Sequence, residues 1–434
     1  MSLAPSPAAG DHQPTEAYAR ALDESDRLAP LRARFRIPRR PDGSESVYLC
    51  GNSLGLQPVE ARAVVEQELD DWAALAVDAH FEARHPWFSY HERFREPAAR
   101  LVGALPDEVV MMNGLTVNLH LMLVSFYRPT AERYKILMED SAFPSDTYAV
   151  RSQLAYHGHD PEEGVIVAVP REGESTLRTE DIEQLLDRRA GEIALVLLGG
   201  VNYYTGQAFD LERIAAAARS RDCVVGYDLA HAAGNLVLSL HDWGVDFAVW
   251  CTYKYLNAGP GAVAGCFVHE RHRDRADLPR FGGWWGNDPK TRFRMHLEPR
   301  FRPVRGADGW QLSNPPILAL APLASSLAIF DEVGMTSLRE KSERLTGYVE
   351  YRVRRAAAKR IEQLTPGDPA QRGCQLSLRL RAGARELFDA LQRAGIVVDY
   401  REPDVVRLAP VPSYNSFHDA WRLGQVLDDW AEGE

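Results

Sequence analysis

Several familiar signatures are missing from this chain of 434 residues, and each absence removes a class of function. The five cysteines, Cys50, Cys223, Cys251, Cys266 and Cys374, form no close C-x-x-C pair. A zinc knuckle or a disulfide framework is therefore not expected, and the thiols read as small core residues. Positive charge is in deficit: 61 acidic against 50 basic residues leave a formal charge of -11, and no long Lys/Arg run interrupts that balance. This argues against a nucleic-acid surface. The longest apolar run, IALVLLGGV at 193–201, is far too short to cross a bilayer. The opening MSLAPSPAAGDHQPTE lacks the basic start and apolar stretch of a signal peptide, so a mobile tail over 1–20 and a cytoplasmic location are expected. Neither G-x-x-x-x-G-K-[ST] nor H-E-x-x-H occurs, and the glycines of NAGPGAVAG follow a lysine without opening a clear helix. Nucleotide, nicotinamide and zinc-protease readings fall away.

What is present is a repeating unit. YKILMED (134–140), VIVAVP (165–170), IALVLLGGV, CVVGYDL (223–229) and DFAVWC (246–251) alternate with helical patterns such as TEDIEQLLDRRAGE (179–192) and DLERIAAAARSRD (210–222). Strands and helices in alternation predict an α/β fold with a mostly parallel sheet flanked by helices. After about residue 315 the rhythm changes. Two long helical stretches, 318–333 and 338–360, precede short strand-like pieces around Gln375, Ile396 and Val405, which predicts a smaller α+β C-terminal domain. The expected division is a segment 21–60 packing on the small domain, a large domain over 61–315 and the small domain over 316–434.

The chemistry concentrates where two of those strands end. Asp228 and His231 close one nearly continuous apolar run, and Tyr253 and Lys254 follow the next on a Gly-rich loop. Ligands of parallel sheets bind beyond the carboxyl ends of the strands. A Lys amine for a Schiff base and a carboxylate to keep a pyridine nitrogen protonated are the two demands of pyridoxal 5'-phosphate, and Lys254 and Asp228 answer them. Taken singly, Asp228 also reads as a turn cap and Lys254 as a solvated loop lysine. A competing motif is GNSLG at 51–55, which matches the G-x-S-x-G elbow and would make Ser53 a hydrolase nucleophile. Only about fifty residues with little strand pattern precede it, and Pro58 stands where the elbow helix should run, so the glycines read better as shaping a tight loop.

The order of the motifs carries a resemblance. YLCGNSLGLQP (48–58), NGLTVNLHLM (113–122), FPSD (143–146), YYTGQ (203–207), DLAHAAGN (228–235), HDWGVDFAVWCTYKYLNAGPG (241–261), GGWWGN (282–287), QLSNPPIL (311–318) and RLAPVPSYNSFHD (407–419) make the chain similar to the kynureninases, fold type I pyridoxal phosphate enzymes, from about Val47 to Asp419. The resemblance implies hydrolysis of the Cβ–Cγ bond of L-kynurenine or 3-hydroxy-L-kynurenine, giving L-alanine and anthranilate or 3-hydroxyanthranilate. It implies that Lys254 holds the cofactor and moves the α-proton, that Asp228 pairs with the ring nitrogen and that Tyr253 bonds the phosphate and relays a proton.

Around the ring it places Phe143, with Pro144 and Ser145 beside it, Asp146 on the pyridine side and His231 closing on the cofactor. Leu115 and Thr116 would meet the phosphate at a helix start. Trp284 and Asn314 would reach it across a homodimer interface, so that two chains share each site. Substrate recognition falls to Arg407, as a bidentate clamp on the α-carboxylate, and to His80, Ser313 and Asn314 around the aromatic ring. One departure stands out: Gly199 sits where many family members carry a serine. A non-catalytic binding protein, an aminotransferase and a cysteine desulfurase relying on Cys374 remain alternatives; Cys374 lies in the strand-like CQLSLRL, which would bury it.

Overall fold

The computed structural model describes residues 12–432 apart from 276, 299, 358 and 359. Seven strands make the larger sheet, in the order Val109–Met111, Gly265–Val268, Phe247–Trp250, Val224–Asp228, Ile193–Gly199, Lys135–Glu139 and Val165–Ala168. Gly265–Val268 runs against both of its neighbours, and every other pairing is parallel.

Side chains alternate across this sheet with a period of two, so its strands feed two separate cores. Leu137, Val196, Leu198, Val225, Tyr227 and Ala248 point to one face, where Ile214 and Ala215 of the helix Leu211–Arg219 pack. Ile136, Leu195, Leu197, Val249 and Cys266 point to the other, under Leu119 and Met122 of the helix Leu115–Phe126. Burial on both faces is why these strands read as unbroken apolar runs.

The smaller sheet is antiparallel throughout, in the order Asp399–Arg401, Val405–Leu408, Leu376–Leu380 and Ile361–Gln363. The helices Met335–Ala357 and Phe417–Glu432 contribute Leu345, Val349, Leu423 and Leu427 to its core. Near the N-terminus, Val47–Tyr48 pairs in parallel with Ile396–Val397 as a separate two-stranded sheet, and Val47, Leu49 and Ile396 join the core of the smaller sheet.

Two boundaries differ from expectation. Residues 1–11 of the expected tail lie outside the described residues, but the tail does not reach residue 20. The Thr15 side chain accepts a hydrogen bond from the Tyr18 N–H and starts the helix Glu16–Glu24, whose Ala19 is buried in the small-sheet core. The helix Ile317–Val333 was expected to belong to the smaller domain. It instead buries Leu320, Leu323, Leu327 and Phe330 in the larger core, because its apolar residues surround it too widely for a surface position. Among the described residues no single helix is long and apolar enough to cross a membrane.

Candidate active site

The parallel strands deliver their chemistry at their carboxyl ends, around one small cavity. Asp228 is the last residue of Val224–Asp228 and pairs in register with Gly199 on one side and Val249 on the other. Its Oδ1 accepts the Ala230 N–H at 2.7 Å, which fixes the carboxylate as the strand turns. Lys254 follows Phe247–Trp250 by four residues and puts its Nζ 3.1 Å from His231 Nε2. Burial and the nearby lysine charge hold His231 well below its usual range, so the imidazole is neutral and accepts from the ammonium. Its Nδ1 is buried without a hydrogen-bond partner among the described residues.

Phe143 caps the start of the helix Pro144–Tyr156, with Pro144 at the first helical position, where a missing N–H costs nothing. The Phe143 ring is 42% exposed and lies 5.6 Å from the Lys254 ammonium. Ser145 and Thr116 meet across two helix starts, their hydroxyls 3.1 Å apart. Leu115 and Thr116 open the helix Leu115–Phe126, where backbone N–H groups have no partner within the helix, and both line the same cavity. Tyr253 is half-buried, and its phenol is pushed up to about 12 by burial and by the Cys251 thiol, so it stays a donor at neutral pH.

Carboxyls crowd the opposite wall. Asp146 is buried next to Asp228, and burial followed by the Asp228 charge drives it well above the carboxylate range. Burial raises Asp228 as well, but Asp146 and the Ala230 N–H pull it back. Two adjacent buried carboxyls cannot both ionise, and the shared proton resides on Asp146. Glu139, which no motif had singled out, completes the wall. It ends its own strand, and its Oε1 accepts the Gly199 N–H at 3.1 Å. A Cβ added at 199 would come within 2.9 Å of that oxygen, the far end of the Glu139 side chain. Tyr203 was quoted only within a motif, yet its ring sits edge-on to Phe143 at 5.2 Å.

Other expected residues stand apart from this cavity. Arg407 is 1% exposed and lies behind Tyr203. Its Nε donates to Asp399 at 2.6 Å and its Nη1 to the Tyr203 carbonyl at 2.6 Å. The expected two-pronged fork is thus partly engaged by the protein, and Nη2 is the nitrogen without a hydrogen bond among the described residues. His80 and Asn314 share a second cleft with Trp87 and Trp285. Ser313 and Asn314 are exposed, as is Trp284, whose indole N–H donates to the Arg292 carbonyl at 3.2 Å. None of the four lines the Lys254 cavity within this chain.

The hydrolase alternative does not survive the fold. Ser53 follows a two-residue strand in a turn, and its hydroxyl donates to Asp399 at 3.4 Å, with no histidine in the pair. The motif's real task is close packing: Gly55 N–H donates to the Tyr253 carbonyl at 2.8 Å, and a Cβ there would lie 2.2 Å from the Lys254 carbonyl. Cys374 is fully buried, with its thiol pushed up to about 12 by burial, so it offers no thiolate.

This arrangement suits a phosphorylated pyridine aldehyde. Orphaned polar atoms of Glu139, Asp146 and His231 surround the cavity, an amine stands opposite a carboxylate, and a helix start supplies N–H donors for an anion. Solved structures share the fold. A cysteine desulfurase from Thermococcus onnurineus aligns over 92% of this chain and 99% of its own at a TM-score of 0.74 and 16% identity. The Escherichia coli desulfurase CsdA aligns over 92% and 97% at 0.74 and 18%. The protein has the fold of the type I pyridoxal phosphate-dependent enzymes.

Sequence comparison is more specific. Residues 338–427 match the kynureninase C-terminal domain family. The kynureninases of Myxococcus xanthus, Koribacter versatilis and Xanthomonas campestris are 58%, 55% and 54% identical, each over 96% of this chain and 97%, 98% and 98% of their own. The chain belongs to the kynureninase family.

Proposed function

We propose that the residues around Lys254 carry out kynureninase chemistry, the hydrolysis of the Cβ–Cγ bond of L-kynurenine or 3-hydroxy-L-kynurenine to L-alanine and the matching aminobenzoate. The observation that carries this reading is the Lys254 ammonium, 3.1 Å from a neutral His231, in a cavity walled by Asp228 and Asp146. Bound pyridoxal phosphate supplies an aldehyde for the substrate amine and a ring that draws off the electrons released at the α- and β-carbons.

The chain's own groups do the rest. Asp228 keeps one negative charge toward the ring nitrogen, and the proton on Asp146 keeps that charge single. Phe143 covers one face of the ring. Leu115 and Thr116 offer N–H groups, and Thr116 and Ser145 hydroxyls, to the phosphate. Lys254 Nζ moves the α-proton, held on line by His231. Tyr253, protonated up to about 12, donates to the phosphate and passes a proton. Arg407 presents Nη2 to the α-carboxylate, with Asp399 and the Tyr203 carbonyl fixing its plane.

The remaining expected contacts fit an assembly of two copies. Phe81, Trp284 and Phe293 are exposed, and Phe81, Phe88 and Phe293 cluster with ring centroids 5.7 to 6.0 Å apart. Such a contiguous apolar surface beside the His80 and Asn314 cleft favours a homodimer in which Trp284 and Asn314 serve the partner's phosphate. His80, Ser313 and Asn314 supply polar atoms that suit a ring hydroxyl and tilt the preference toward 3-hydroxy-L-kynurenine. In this reading the larger sheet with the helix Ile317–Val333 forms the cofactor-binding domain, the smaller sheet carries the arginine, and the protein works in the cytoplasm.

The test is turnover of the purified protein with both substrates, with and without added pyridoxal phosphate, followed by the fluorescent aminobenzoate. Cofactor-dependent product from either substrate is expected. No product from either, in a protein that still binds the cofactor, would move the substrate elsewhere.

A further inference from the structure

The Lys254 cavity holds one carboxyl more than its chemistry uses. Asp228 and Asp146 act as a pair with one shared proton, and Glu139 is the third. Glu139 is 5% exposed, its Oε1 is held by the Gly199 N–H, and its Oε2 is buried with no hydrogen-bond partner among the described residues while the residue lines the cavity. An oxygen with an unmet hydrogen bond in that position is costly unless it carries a proton or meets a bound group. The Gly199 N–H at the end of the neighbouring strand holds Oε1 at 3.1 Å, so a backbone group fixes where this carboxyl lies.

We propose that Glu139 is a positioning residue for the Asp146–Asp228 pair, and that its proton, held or released, decides whether the wall faces the cofactor's ring nitrogen with one negative charge or two. The groups that bear on it are Asp140 on its own strand end, Asp146 on the facing helix and Asp228 on the strand beyond Gly199. The Lys254 ammonium opposes them across the cavity, His231 is neutral, and Tyr203 adds a phenol at the rim. Burial, then the charges of Asp228 and Asp140, set against the Gly199 N–H, bring Glu139 up to about 7. Below that pH the wall carries a single charge, matched to a single ring cation. Above it the second charge tightens the hold on a protonated ring, so cofactor affinity rises through neutral pH beyond what the cofactor's own titration explains.

This rests on the reading that Asp228 faces the ring nitrogen, and the experiment separates the two. The dissociation constant of pyridoxal phosphate is measured on cofactor-stripped wild type, Glu139→Gln and Asp228→Asn from about pH 5.5 to 8.5. Gln keeps an oxygen for the Gly199 N–H and stays neutral, and dividing its constant by the wild-type one cancels the cofactor's own protons. The expected ratio is near one at the acid end and about tenfold at the alkaline end, with its midpoint near neutrality. A ratio that does not change with pH overturns the proposal. Unchanged affinity in Asp228→Asn overturns the underlying reading instead. In a second measurement, the infrared difference between cofactor-free wild type and Glu139→Gln, in which the Asp146 band cancels, should show a protonated-carboxyl band that fades as pH rises through 7, and a difference without it would also end the proposal.

Discussion

The Lys254 cavity and the aromatic shelf around Phe81, Trp284 and Phe293 are built in opposite ways. In the cavity the polar side chains are held by neighbours: His231 meets Lys254, the Ala230 N–H fixes Asp228 and the Gly199 N–H pins Glu139. On the shelf the side chains are large, apolar and exposed, and the polar residues beside them, Ser313 and Asn314, are exposed as well. The cavity is ordered by strand ends whose positions the core dictates. The shelf is open in the single chain, and under the proposed homodimer a second copy would bring Trp284 and Asn314 to the cofactor.

Breaking the charged side should cost most. Lys254→Ala is expected to lower turnover by about 10³-fold or more and to remove borohydride-trappable cofactor; a trapped adduct in that variant would sink the assignment. The next test joins the two regions. When inactive Lys254→Ala is mixed with an inactive Asn314→Ala under conditions that let subunits exchange, half the dimers become hybrids with one intact site in two, so about a quarter of wild-type activity should return. Recovery of none, with exchange demonstrated, would mean that the shelf serves only its own chain.

His80→Ala probes the aromatic side alone. It should reduce kcat/KM for the hydroxylated substrate about tenfold more than for L-kynurenine, read from parallel kinetics. Equal losses would give His80 a packing role against Trp87. The smallest effect concerns stability. Glu139 has its folded value raised from 4.5 to about 7, so the folded state binds the extra proton and stability falls as pH rises between the two. Glu139→Gln should therefore melt higher than wild type at about pH 8 in the cofactor-free protein, by at most about 3 kcal/mol, with the gap shrinking toward pH 5. An equal gap at both pH values would show that the carboxyl stays ionised.

The larger sheet was legible because burial on both faces leaves nothing but apolar residues between turn signals. Lys135–Glu139, Ile193–Gly199 and Val224–Asp228 fall within the runs read from the sequence. The strands Val109–Met111 and Gly265–Val268 were not foreseen, being three and four residues long and preceded by no helical pattern that would announce them. The ownership of Ile317–Val333 was misread for a related reason: periodicity reveals a helix but not the core into which it packs.

Asp228 and Lys254 were readable because a charged residue closing or shortly following an apolar strand stands out. Glu139 closes a strand in the same way and passed unnoticed, since a glutamate followed by an aspartate reads as an ordinary solvated strand end. The sequence by itself determined the strand order of events, the placement of carboxylates and lysine at strand ends, and the family, because these depend on local pattern and motif order. Only the tertiary structure decided that Glu139 faces Asp146 and Asp228, that Arg407 is already half engaged by Asp399, and that the aromatic shelf stands apart from the cavity. Those outcomes depend on which strands become neighbours and on how burial shifts a proton, and neither is encoded within any one segment.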